Sequence, residues 1–182
     1  MTTTTEEELQ QLLAREKIRD CIARLARGED RRCDQRISLC FWPDATTDFG
    51  IFSGNFKEYL DWVTPGSPAV LLTQHILGQT LTHIKQDQAA AETHVISYHR
   101  INTGETERDI VLGGRYLDRF EMRNNEWRII ERTMLYDWNQ DWGPSVDWTQ
   151  GLMGTPFSGS QFVGTTLDDH SEKFFADFLT EK

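Results

Sequence analysis

Two residues carry the chemistry expected of this chain. Asp30 closes Arg27-Gly28-Glu29-Asp30, and His75 sits inside Leu71-Leu72-Thr73-Gln74-His75-Ile76-Leu77-Gly78. An imidazole titrates close to neutral pH and is a serviceable base there. A carboxylate on one ring nitrogen fixes its tautomer and stabilises the imidazolium once the other nitrogen has taken a proton. As a dyad in an apolar pocket, the pair would take a proton from a hydroxyl, or from carbon beside a carbonyl or conjugated ring. Water, halide or an aldehyde fragment would then depart. Each residue also has an ordinary structural use, Asp30 as a cap for the helix that follows and His75 as a hydrogen-bonded core histidine near a helix end.

A second tier of residues is placed to line such a pocket. Tyr116 is a candidate hydroxyl donor. In Tyr98-His99-Arg100 the strand period puts Tyr98 and Arg100 on one side and His99 on the other, and either side can be the pocket. Trp42, Phe49, Leu72 and Met134 are candidate walls, and plain core packing explains them as well. Arg115, Arg119 and Arg132 are expected to pair with Asp118 and Glu131 across a sheet.

The elements that must position these groups follow from periodicity. Thr5 with Glu8 three residues on reads as a helix start, and Leu9, Leu12, Leu13, Ile18, Cys21, Ile22 and Leu25 recur at helical spacing up to Gly28, which breaks the pattern. A second helix is expected over Asp34 to Phe41, a strand over Ala45 to Phe52, and a short helix over Asn55 to Val63. Ser67-Pro68 resembles a cap followed by a first-turn proline, so a further helix is expected toward Leu72 or Ile76. After Gly78 the period becomes two. Strands are expected over Gln79 to Lys85, Ala89 to Ile101, Arg108 to Arg123 and Glu126 to Trp138, with Asn124-Asn125 as a tight hairpin and Gly113-Gly114 as a bend or bulge. Helices first and antiparallel strands afterwards indicate an α+β fold.

Composition bounds the function. A chain of 182 residues with formal charge −10 is large enough for one packed domain and lacks the basic balance of a nucleic-acid binder. Cys21, Cys33 and Cys40 form no CxxC pair and suit buried thiols in a reducing cytoplasm. The Thr- and Glu-rich start does not read as a signal peptide, and no apolar run is long enough to span a membrane. The histidines lack ligand spacing, and no P-loop, GxGxxG or GxSxG occurs, so a cofactor-independent, metal-free reaction is expected.

Three stretches together resemble the SnoaL-like branch of the nuclear-transport-factor-2-like superfamily, which includes scytalone dehydratase and hexachlorocyclohexane dehydrochlorinase. They are Ile18-Arg19-Asp20 through Gly28-Glu29-Asp30 to Phe41-Trp42-Pro43-Asp44-Ala45; Thr73 to Gly78; and Gly113-Gly114-Arg115-Tyr116-Leu117-Asp118-Arg119-Phe120 through Trp127-Arg128-Ile129. The resemblance covers roughly residues 8 to 140. It implies a cone-shaped, curved antiparallel (mixed) sheet with N-terminal helices on its concave face, enclosing an apolar pocket. It also implies an aspartate from the end of the first helix, falling on Asp30, hydrogen-bonded to a catalytic histidine from the third helix, falling on His75. Departures narrow the substrate. The dehydratase tyrosine before the aspartate is Glu29 here, its strand tyrosine falls on Phe49, and its serine and asparagine fall on Gly114 and Tyr116. Scytalone itself is therefore not the expected substrate.

The resulting expectation is a lyase of dehydratase type acting on a small aromatic or alicyclic molecule. An isomerase or polyketide-type cyclase using the same dyad is a rival, as is a non-catalytic ligand-binding or structural subunit. Residues 1–142 would form the domain, and 143–182 an extension carrying Trp148, Leu152, Met153, Phe157 and Phe162, packed on the same domain or a neighbour. A homo-oligomer, dimer or trimer, is expected.

Overall fold

A computed structural model describes residues 4–147, 151–157, 169–176 and 178. Trp148 and Phe162 of the expected extension lie outside the described residues. The chain opens with α1 (Thr5–Asp30), where Thr4 and Glu7 form a reciprocal capping box and Glu6, Glu7 and Glu8 face the positive helix end. Next come α2 (Asp34–Ser38), β1 (Phe41–Asp48), β2 (Ser53–Asn55) and α3 (Phe56–Val63). Four long strands follow: β3 (Val70–Lys85), β4 (Gln88–Asn102), β5 (Glu107–Arg123) and β6 (Glu126–Pro144). The last described element is α4 (His170–Phe175).

The strands form one six-stranded mixed sheet in the order β2-β1-β6-β5-β4-β3. β1 runs parallel to β6 and every other pair is antiparallel. The sheet is curved but not closed. Ile18, Cys21, Ile22 and Leu25 of α1 share one buried apolar cluster with Ala91 and Val95 of β4, Tyr116 and Phe120 of β5, and Ile129 and Met134 of β6. All three cysteines are free and buried. Among the described residues no helix is long and apolar enough to cross a membrane.

The expected α+β architecture is the observed one, and the Asn124-Asn125 turn has both residues at positive φ, 52° and 68°, as a two-residue hairpin requires. The ladder shifts between Gly113 and Gly114. A Cβ on Gly114 would stand 2.1 Å from the Leu135 carbonyl oxygen, so the glycine permits that irregularity.

Three local expectations are corrected. The second helix ends at Ser38 and not at Phe41, and the first strand is Phe41–Asp48 and not Ala45 to Phe52, because pairing with β6 begins at Phe41↔Ile129. Gly28 does not end α1, because the helix runs on to Asp30. A Cβ at residue 28 would lie 3.1 Å from Ile37 Cγ1 and 3.2 Å from the Ile37 nitrogen, so the glycine serves the close approach of α2. The expected helix after Ser67-Pro68 is instead the start of β3, paired from Val70↔Ile101 through His75↔Ser97 to Lys85↔Gln88. A short apolar run such as Ala69 to Leu72 fits either period, and the long ladder with β4 decides it. His75 is therefore a strand residue, not a residue of a third helix.

Candidate active site

The continuation of α1 through Gly28 places Glu29 and Asp30 on its buried end, 7% and 8% exposed. The adjoining edge of the sheet is β3, where cross-strand pairing sorts side chains by face. His75 pairs with Ser97 and Thr73 with His99, so these four share the inner face. Leu72 pairs with Arg100 and Gln74 with Tyr98, so these four share the outer face.

Asp30 meets His75 twice. Its Oδ1 lies 2.7 Å from His75 Nδ1, and its Oδ2 accepts from the His75 backbone N–H at 3.1 Å. The second contact fixes the carboxylate relative to the strand and aims the first at the ring. On the other side of the imidazole, Nε2 faces Glu29 Oε2 at 3.8 Å. Glu29 Oε1 accepts a short hydrogen bond from the Tyr59 hydroxyl and lies 3.8 Å from the Arg132 guanidinium. Arg132, fully buried, donates to both oxygens of Asp118 at 2.7 and 2.9 Å and lies 4.0 Å from the Tyr116 ring centroid. The Tyr116 and His99 rings lie 6.5 and 6.4 Å from the His75 ring. The Ser97 hydroxyl is buried and has no hydrogen-bond partner among the described residues.

Electrostatics follow from this packing. Burial draws the His75 pKa down, but the hydrogen bond to Asp30 and the charges of Glu29 and Asp30 outweigh it, so the imidazolium is favoured above the ordinary histidine range. Burial, aided by the charge of His75, pushes His99 down to about 4, so it is neutral at physiological pH. Burial and the charge of Glu29 push the Tyr116 phenol up, and the Arg132 charge opposes them. The phenol therefore stays protonated and able to donate.

The candidate residues separate accordingly. Asp30, His75, His99 and Tyr116 come together, with Met134 buried opposite Tyr116 on β6. Tyr98 does not join them. It is on the outer face and donates to Asp109 at 2.7 Å, beside the Arg100–Asp109 ion pair. Leu72 shares that face. Trp42 donates its indole N–H to the Glu121 carbonyl and lies under Arg123 and Arg128, at the hairpin end of the sheet. Phe49 stacks on Tyr59 at 5.5 Å and so backs the residue that holds Glu29. Arg132 and Arg119 pair with Asp118 and Glu131 as expected, but Arg115 pairs with Asp137 and Glu92. Three residues that the sequence did not single out as site groups complete the cluster: Glu29, Tyr59 and Arg132. The glutamate immediately before Asp30 was the available signal.

A cleft of about 330 Å³ lies between α1 and β3, lined by Arg19, Ile22, Leu77, Gly78, Gln79 and Thr80. Leu77 is the next inward position after His75, but neither Asp30 nor His75 lines the cleft. Its lining mixes polar with apolar residues, unlike the apolar pocket expected around the dyad.

The SnoaL-like domain model matches residues 10–133. The chain belongs to the SnoaL-like family. No curated protein matches the sequence. Among solved structures, hexachlorocyclohexane dehydrochlorinase LinA-type3 from Novosphingobium barchaimii LL02 superposes with a TM-score of 0.67 at 20% identity, over 84% of this chain and 99% of that one. A Novosphingobium aromaticivorans DSM 12444 protein provisionally described as a scytalone dehydratase gives 0.64 at 15% identity, over 82% and 96%. A nuclear-transport-factor-2-like protein from Salmonella enterica serovar Typhimurium LT2 gives 0.61 at 14%, over 75% and 94%. At these identities the likeness of this SnoaL-like chain to the three is one of fold.

Proposed function

We propose that this SnoaL-like protein is a cofactor-independent lyase that eliminates a leaving group, as a dehydratase does, from a small aromatic or alicyclic substrate. His75 is the base, and Asp30 holds its tautomer and balances the imidazolium. The observation that carries this reading is the 2.7 Å contact between His75 Nδ1 and Asp30 Oδ1, which leaves Nε2 as the nitrogen that takes a proton. A solvated surface pair would have little catalytic worth, but here both side chains are 11% exposed, and polar contacts strengthen in a water-poor site. Tyr116 and His99 are the nearby groups that would touch the substrate, while Tyr98, Leu72 and Trp42 belong to other surroundings.

The test is a screen of hydroxylated and halogenated aromatic and alicyclic compounds for elimination products, run on the native protein and on His75→Gln and Asp30→Asn. Loss of the base should lower kcat by about 10²–10⁴-fold, and Asp30→Asn should act in the same direction. Turnover that survives both substitutions would refute the assignment. A second reading, a non-catalytic subunit, draws on the apolar outer face of the sheet, where Ile76 and Trp138 are 53% and 45% exposed. It predicts no turnover and tight association through that face.

A further inference from the structure

We propose that the cleft between α1 and β3 is a second ligand site, separate from the Asp30–His75 pair, and that it takes a small hydroxy acid. Arg19 holds the carboxylate, the open edge of β3 takes the hydroxyl, and Ile22 and Leu77 receive the apolar body.

The strand edge supplies the first part of the site. β3 is the last strand of the sheet, so half of its backbone groups point away from β4. Two hydrogen bonds show which ones. The His75 backbone N–H leaves the ladder and donates to Asp30 Oδ2 at 3.1 Å, and the Thr82 carbonyl leaves it and accepts from Arg15 at 2.7 Å. In an antiparallel ladder this direction recurs at every second residue. Leu77 therefore shares it with His75, and Thr80 with Thr82. Between them the register shifts, with Gly78 and Gln79 set against His94, and that extra residue lets both directions coexist. Leu77 and Thr80 thus turn an N–H and a carbonyl each toward α1, and such groups need partners. The bonds from Asp30 and Arg15 go to the residues on either side. The cleft opens in front of the two between them.

The opposite wall supplies charge and apolar surface. Arg15, Arg19 and Ile22 are spaced by four and three residues and share one face of α1. Ile22, 2% exposed, and Leu77 form the apolar part of the lining. The ion pair of Arg19 with Glu16 is 3.7 Å long, between side chains 57% and 62% exposed, so water screens it and it engages Arg19 only weakly. Asp20, the acid next to Arg19 in sequence, is taken by Arg24 at 2.8 Å. On a chain of net charge −10, a pair of arginines along one helix face is where a small anion is drawn.

The occupant follows from size and polarity. The cleft of about 330 Å³ is at the small end of the roughly 300–1,000 Å³ of ligand pockets, which suits one ring with its substituents. An added peptide strand does not fit, because Asp30 and Arg15 already occupy the edge at His75 and Thr82. A guanidinium only donates and calls for an acceptor, while the Leu77 and Thr80 carbonyls only accept and call for a donor. A hydroxy acid carries both. A ligand held there bridges α1 and β3, the two elements that bear Asp30 and His75, without touching either residue.

The test titrates mandelate, which has a ring, a hydroxyl and a carboxylate, into the full-length protein at neutral pH and low salt, followed by amide NMR. Saturable shifts are expected at the Leu77 and Thr80 amides. Mandelamide keeps the ring and hydroxyl but lacks the charge, and should bind about tenfold more weakly or worse. Arg19→Gln should weaken mandelate by a similar factor, and Glu16→Gln, which frees Arg19, should tighten it. Both replace exposed side chains, and a native-like amide spectrum checks each fold. Phenylacetate, which lacks the hydroxyl, should bind more weakly than mandelate. His75→Gln should leave mandelate affinity unchanged, which separates this site from the dyad. Absence of saturable shifts at millimolar mandelate, shifts centred on His75, equal affinity for mandelamide or phenylacetate, or native affinity in Arg19→Gln would each overturn the proposal.

Discussion

Replacing Arg132 by methionine keeps an unbranched stem in place and removes the guanidinium that pairs with Asp118. The Arg132 side chain is 1% exposed and that of Asp118 is 0%, so the substitution strands a carboxylate that water cannot reach. Breaking one half of a buried pair costs about 3–5 kcal/mol, a large share of the roughly 5–15 kcal/mol that holds a domain together. In a chain of this size that corresponds to a fall in Tm of about 6–20 °C. The assay is urea unfolding followed by tryptophan fluorescence. The double variant Arg132→Met/Asp118→Leu is the control, because it removes the stranded charge as well. It should regain most of the loss, since well-packed apolar replacements of buried pairs are often neutral or better. A single variant within about 1 kcal/mol of native, or a double variant no better than the single one, would refute the reasoning that this pair is an interdependent buried unit.

Other perturbations have defined outcomes. His99 is held down to about 4 by burial and by the charge of His75, so the unfolded chain binds this proton first as the pH falls. The stability it contributes is full above about 6.5, the unfolded value, and declines through about 4, by about 3 kcal/mol in all; His99→Gln should flatten that part of an acid-unfolding curve. Gly114→Ala pushes a methyl within 2.1 Å of the Leu135 carbonyl oxygen and should destabilise by about 1–3 kcal/mol, read in the same urea assay. The outer-face row of Ile76, Ile96 and Trp138 leads us to predict a homo-oligomer through the sheet. Sedimentation should report more than one chain per particle, and Ile96→Glu should dissociate it.

Much of this arrangement was legible because it depends on local pattern. The alternation along β4 and β5 and the Asn124-Asn125 turn are set by neighbours in sequence, and the resemblance linked Asp30 to His75 across forty-five residues. What was not legible depends on contacts made later in folding. The run from Ser67-Pro68 toward Leu72 or Ile76 reads as a helix until the pairing of β3 with β4 is known. Gly28 reads as a helix stop until Ile37 is seen packed against it. The inward turn of Glu29 follows from that same continuation of α1, which is why it appeared only as a departure from a motif. The choice between the Tyr98 and His99 faces required the register with β3, in which His99 shares a side with His75.

The central claim is that Asp30 and His75 act as one unit, and a pH titration of the His75 ring by NMR tests it most directly. The measurement compares the native protein with Asp30→Asn. The account predicts a native pKa above that of a free histidine, from the Asp30 hydrogen bond and the nearby carboxylates acting against burial, and a lower one in the variant. The stability linked to that proton is full below the unfolded value and is lost as the pH rises through the folded one. Identical titration of His75 in the two proteins would contradict the account.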